Sequence, residues 1–224
     1  MLFVLDLVVV LGVLVAVMER RTGLAEQALW WHPPRSAVAL WVVVALCSAV
    51  QFVVPGWYDA LFRSPDQIMH HGQVWRLLTA VLVQDGGAAG TTSNLVLLAL
   101  SVVPVARYFG GPATWLLFFG CGIGLNLFGA VYGASGAGNS GATLAMMCAL
   151  LGHTAAVGLT RRRAMTRSTV LLAVVPVLLG AVTCVLVDYH GEAQVIGWAV
   201  GAVLGCLAPD PFPMERAVRA EAAA

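Results

Sequence analysis

The amino-acid sequence predicts an all-α membrane protein, a bundle of about seven transmembrane helices with little chain outside it. Three observations carry this reading. Of 224 residues, 60% are hydrophobic and 10% charged, with a mean hydropathy of +0.88. Soluble domains carry about a quarter charged residues, so too few remain here to cover a water-facing surface. The apolar residues fall into blocks of 17 to 21, the length that crosses a ~30 Å hydrocarbon layer at ~1.5 Å per residue. The arginines also fall in alternate loops, which collects most of them on one side of the bundle, as the positive-inside rule requires.

The elements follow in order. Residues 2–18 read as a retained span. No basic residue precedes them, and they run into Met18-Glu19-Arg20-Arg21 in place of a small-residue cleavage site. A second span covers 36–54. The loop 55–91 is amphipathic, with Trp57, Tyr58, Leu61, Phe62, Val74, Trp75, Leu77 and Leu78 among its charges, a composition that suits a membrane interface. Five more spans are expected at 92–108, 113–133, 140–160, 168–188 and 192–208, followed by a short tail, 209–224. With the N-terminus outside, the cytoplasmic side receives Arg20, Arg21, Arg35, Arg107, Arg161, Arg162, Arg163, Arg167, Arg216 and Arg219. The outer side receives only Arg63 and Arg76. The tail and C-terminus are therefore cytoplasmic.

Composition also excludes classes of function. The net charge is +1 and no basic tract carries interleaved aromatics, so no nucleic-acid partner is expected. Cys47, Cys121, Cys148, Cys184 and Cys206 stand singly within apolar segments. None has the spacing of a metal site or a disulfide framework, and no metal or cofactor is implied. All twelve cations are arginine. With the abundant Ala, Gly and Val, that points to a GC-rich bacterial genome and an inner-membrane location.

The candidate chemistry lies at the outer ends of the spans. Ser140 opens the fifth within Gly138-Asn139-Ser140-Gly141. A helix N-terminus presents unpaired N–H groups and a positive dipole end, which can stabilise an oxyanion. The same pattern is also an ordinary N-cap. His190 lies just before the last span, in Asp188-Tyr189-His190-Gly191. It is either the base a serine needs to become a nucleophile or a solvated loop histidine. Gly197, Gly201 and Gly205 form a stripe of small residues on the last span, matched by Gly141, Ala145 and Ala149 on the fifth. Such stripes let transmembrane backbones approach closely. If the two helices pack through them, Ser140 comes within reach of His190 or Gln194. Asn94, at the start of the third span, is an oxyanion donor or a cap. His153, deeper in the fifth span, is a functional hint by its depth or a core histidine.

Taken in order, these residues resemble the rhomboid family of intramembrane serine proteases. Trp75-Arg76-Leu77-Leu78-Thr79 is similar to the family's Trp-Arg motif, and Asn94 stands about where rhomboids carry an asparagine. Gly138-Asn139-Ser140-Gly141 resembles the Gly-x-Ser-Gly of the nucleophile, and Gly197-Trp198-Ala199-Val200-Gly201 the glycine motif of the last helix. The resemblance implies a six-helix core over 36–208, with residues 1–35 adding one N-terminal transmembrane helix and a linker. It implies peptide cleavage within or near transmembrane segments of membrane-protein substrates, with Ser140 as nucleophile. Asn94, Asn139 and Gln194 become oxyanion or supporting groups, and Trp75, Arg76, Gly138, Gly141, Gly197 and Gly201 the structural motif.

Two departures bear on activity. The family's catalytic histidine lies three residues before the first glycine of the last-helix motif, where this chain has Gln194. A histidine usual four residues before the asparagine is Gly90 here. His190 lies one helical turn, ~5.4 Å, above Gln194. It serves as the base if Ser140 also sits about a turn higher. The competing reading is a rhomboid-like protein that has lost proteolysis and binds or escorts transmembrane helices. A transporter fits less well, because the spans hold few ionisable residues near their middles and no inverted repeat.

Overall fold

The computed structural model describes residues 2–22, 30–160, 166–185 and 189–208. Ten helices form among these residues: α1 (Leu2–Thr22), α2 (Arg35–Val50), α3 (Trp57–Leu61), α4 (Pro65–Met69), α5 (Arg76–Thr79), α6 (Gly87–Phe109), α7 (Gly111–Val131), α8 (Ser140–Thr160), α9 (Arg167–Val185) and α10 (Tyr189–Leu207). The fold is all-α. Helices α6 to α9 are each long and apolar enough to cross a membrane, while α2 is a shorter apolar helix of 16 residues.

The core is α8. Every residue from Gly141 to Gly158 is buried, enclosed by α6, α7, α9, α10 and α1. Its outward neighbours turn apolar side chains away from the bundle, including Leu116 of α7, Leu171 and Leu178 of α9, and Val203 and Leu207 of α10. A surface of this kind would be an aggregation liability in water and is the expected one in lipid. The most extensive packing joins α8 to α10. A Cβ on Gly197 would stand 2.1 Å from the Ala145 carbonyl oxygen, and one on Gly201 1.8 Å from that of Ala149. The two backbones touch, and the glycine stripe is what lets them.

Helix α1 packs on α8 and α9, with α6 at its other flank. Val10, Leu14, Val17 and Met18 are buried at the i, i+4, i+7, i+8 spacing of one helical face. Asn94 lies about two turns inside its helix. Helix α6 begins at Gly87, because Gly86 and Gly87 take φ of +77° and +61° and turn the chain into the helix early. At its far end Gly110, at φ +81°, closes α6 and starts α7 with no further linker.

One end of the bundle gathers the starts of α6, α8 and α10, the 51–86 loop and the 132–139 connection. Arg63 and Arg76 lie there. Arg35, Arg107 and Arg167 stand at the opposite end, where Arg107 donates to the carbonyls of Trp31 and His32. Arg161, Arg162, Arg163, Arg216, Arg219, Asp188 and the tail from 209 lie outside the described residues.

Within the loop, Ser64 caps α4 by accepting from Gln67 N, with Pro65 at the first helical position. Arg76 is buried. It donates to the carbonyls of Asp59 and Phe62 at 2.8 and 2.9 Å and to Gln73 Oε1 at 2.7 Å, so one side chain ties α3 and α5 together. Trp75 beside it is 52% exposed, with Phe52, Val53, Val74 and Leu78 also outward.

Candidate active site

Ser140 is the first residue of α8, held there by the connection that precedes it. Arg63 and Gly136 exchange backbone hydrogen bonds at 2.9 and 3.1 Å, and Gly138 N donates to Ala80 O at 2.9 Å. These fix the connection against the 51–86 loop. Thr143 N donates to Asn139 O at 2.8 Å, the first bond of the helix. Ser140 Oγ does not turn back to cap it. It lies 3.2 Å from His190 Nε2.

Helix azimuth explains why His190, and not Gln194, meets the serine. Seven residues separate His190 from Gly197, which returns it to within about 20° of the stripe that faces α8. Gln194, three residues before Gly197, is about 60° round the helix. It is fully buried against α9, where a Cβ on Gly180 would stand 2.7 Å from Gln194 Cβ and 3.2 Å from its Oε1.

Ser140 and His190 share a cavity of about 450 Å³ with Arg63, Asp85, Asn94 and Asn126 on its wall. Asn94 Nδ2 donates to Gln84 Oε1 at 2.8 Å. The Asn139 amide does not reach the cavity: it is fully buried, and neither of its polar atoms has a hydrogen-bond partner among the described residues. Gly138, at φ +140°, occupies the point where Asn94 Nδ2 and Ser140 Oγ converge, 3.3 and 3.9 Å from where its Cβ would be. A side chain there would crowd the Asn94 amide and would be strained by this backbone conformation. Gly141 and Gly138 both line the cavity. At Gly90 a Cβ would fall 2.1 Å from Asp85 O. The position at which the family carries a histidine is therefore filled by backbone. His153 lies at the far end of α8, where Tyr108 Oη is 2.8 Å from its Nδ1 and Ala208 O 3.1 Å from its Nε2. It is a core histidine that anchors the end of α10.

Several wall residues escaped the sequence reading. Arg63 is buried, donating from Nε to Ala134 O at 2.8 Å and from Nη1 to Asn126 Oδ1 at 2.9 Å. Gly129 leaves room for the guanidinium, whose Cζ is 2.7 Å from where a Cβ would sit. Asp85 accepts from Tyr58 Oη and, at 2.7 Å, from Ala137 N. Burial and the Asp85 carboxylate beside it push the Tyr58 phenol above its ordinary pKa. Asn126, a lone amide within an apolar span, was the one signal available to a reader of the sequence. The others depend on contacts between segments far apart in the chain.

The family model described as Rhomboid domain matches residues 71–210, more than half of the chain. No curated protein matches it.

Proposed function

Because the chain belongs to the rhomboid family, and is with that an integral membrane protein, we propose that it is an active intramembrane serine peptidase with Ser140 as nucleophile and His190 as its base. The observation that carries this is the 3.2 Å approach of Ser140 Oγ to His190 Nε2 within a shared cavity of about 450 Å³.

In this mechanism Oγ attacks the scissile carbonyl carbon as its proton passes to Nε2. The new C–O bond forms while the carbonyl π electrons move onto oxygen. The oxyanion is held by the Asn94 amide and backbone N–H groups at the start of α8. Collapse breaks the C–N bond, and His190 returns the proton to the departing amine. Water entering the cavity, deprotonated by the same imidazole, then attacks the acyl carbon; the C–Oγ bond breaks and His190 returns the proton to Ser140 Oγ. The substrates are transmembrane segments of other membrane proteins. The arginine distribution supports an outer-facing cavity and an external N-terminus, and the all-arginine composition a bacterial inner membrane.

The test is cleavage of a model transmembrane substrate by the purified protein, together with fluorophosphonate labelling. Wild type should cleave and be labelled, and Ser140→Ala should do neither. Equal cleavage by Ser140→Ala would sink the mechanism. A second reading, a non-proteolytic binder of transmembrane helices, is favoured by the burial of Gln194 against α9 and the closed backbone at Gly90. It requires that wild type not be labelled at Ser140.

A further inference from the structure

Gln84 ends the apolar run Ala80-Val81-Leu82-Val83 and belongs to none of the motifs singled out above. It is 2% exposed, does not reach the cavity, and has every polar group engaged. Its backbone N donates to Gln51 Oε1 at 2.9 Å, and its carbonyl accepts from Gln51 Nε2 at 3.0 Å. Its Nε2 donates to Ser48 Oγ at 3.1 Å. Its Oε1 receives two donors, Asn94 Nδ2 at 2.8 Å and the backbone N–H of Asn139 at 3.1 Å.

Donor and acceptor chemistry leaves this network one orientation. Ser48 Oγ donates its single hydrogen to Leu82 O at 3.1 Å, so it accepts from Gln84, and the atom facing it must be Nε2. The atom facing Asn139 N–H must then be the amide oxygen. An oxygen at 2.8 Å from the Asn94 amide requires that Asn94 turn its nitrogen, not its oxygen, toward Gln84. That nitrogen carries two hydrogens. One is held by Gln84 behind the wall. Asn94 itself lines the cavity with Ser140, so the second hydrogen is left for whatever oxygen is bound there. Without Gln84, nothing in this arrangement stops the amide from flipping and presenting an acceptor to a developing negative charge.

We infer that Gln84 is a positioning residue for the oxyanion donor. Its Oε1 fixes the Asn94 amide with an N–H toward the reacting carbonyl, and registers it to the backbone that carries Ser140 through Asn139 N–H. The inference rests on the peptidase reading for its consequence, and on the hydrogen-bond network for its geometry.

The two are separated by experiment on the full-length protein in detergent or proteoliposomes. Gln84→Leu should lower kcat on a model transmembrane substrate by about tenfold to a hundredfold, somewhat less than deleting an oxyanion donor outright, with KM near that of wild type. In an Asn94→Ala background the same change should cost less than about twofold, because the group it positions is gone. Equal losses with and without Asn94, or a loss in KM alone, would overturn the positioning role while leaving the peptidase standing. Ser48→Ala, which touches neither the cavity nor Asn94, is the milder probe should Gln84→Leu fail to fold. It should reduce kcat in the same Asn94-dependent way, and an unchanged or Asn94-independent rate would count against the role.

A readout independent of turnover is the side-chain amide of Asn94 in ¹⁵N NMR, assigned by its loss in Asn94→Ala. Its two protons should be well separated in shift, with one slow to exchange, and should converge in Gln84→Leu or Ser48→Ala. If they do not, the network does not hold the amide. If they do while wild type neither cleaves nor reacts with fluorophosphonate, the positioning stands and the peptidase reading falls.

Discussion

At the scale of single residues, the site is shaped as much by absent side chains as by those present. Gly138 leaves the Asn94 amide uncrowded, and Gly129 makes room for the Arg63 guanidinium. Gly90 is the sharper case. Restoring the histidine usual in the family would drive its Cβ to 2.1 Å from the Asp85 carbonyl oxygen, an atom of the backbone that cannot swing aside. Gly90→His should therefore destabilise the protein by about 1–3 kcal/mol, as other overpacked positions do, and should not increase cleavage. Thermal unfolding in detergent beside an activity assay checks both. An unchanged midpoint with faster cleavage would mean that the start of α6 rearranges readily.

At the scale of elements, the contact between α8 and α10 does the aligning. These helices meet backbone to backbone along Gly197, Gly201 and Gly205, and the same register brings His190 to Ser140. Gly201→Val places a branched side chain where the Ala149 carbonyl oxygen is 1.8 Å from the Cβ position. It should cost on the order of 3 kcal/mol or more and abolish labelling of Ser140, because separating the helices also separates the serine from the imidazole. Gly120, with nothing within 4 Å of its Cβ position, is the control. Gly120→Ala should be neutral or slightly stabilising through helix propensity. Equal unfolding midpoints for the two variants would refute the close-packing account. Helix α1 packs on α8, α9 and α6 and contributes to the enclosure of α8.

At the scale of the whole molecule, one end of the bundle is tied together across long sequence separations. Asp85 joins Tyr58 of the 51–86 loop to Ala137 of the connection before Ser140. The Tyr58 phenol is raised above its ordinary range, first by burial and then by the Asp85 hydrogen bond, so the folded state favours its neutral form. The stability this contributes is fully present below the unfolded tyrosine pKa of about 10 and is lost as pH rises through the higher folded value. Ultraviolet titration should show one tyrosine ionising later than the rest. In Tyr58→Phe that late phase should vanish, with stability at neutral pH lower by about 1 kcal/mol. A late phase that persists in the variant would assign it to another tyrosine.

Much of this was legible before any tertiary structure. The helical membrane class follows from block length and composition. The order of Trp75-Arg76, Asn94, Gly138-Asn139-Ser140-Gly141 and the Gly197 stripe pointed to the family, because each motif answers to a local requirement of spacing or backbone freedom. The stripes at 141, 145, 149 and 197, 201, 205 also identified which two helices touch. Three things lay beyond one-dimensional pattern. Ser140 meets His190 rather than Gln194 because small differences of azimuth around α10 decide which side chain faces α8. The amides of Asn94 and Asn139 differ in role because one lines the cavity and the other is sealed behind it. Gln84 and Asp85 matter through partners 10 to 55 residues away in the chain. Local periodicity determines which segments are helices and which face of each is apolar. Only the packed bundle decides which polar atoms from distant segments converge, because convergence depends on the relative rotation and depth of helices that no single segment encodes.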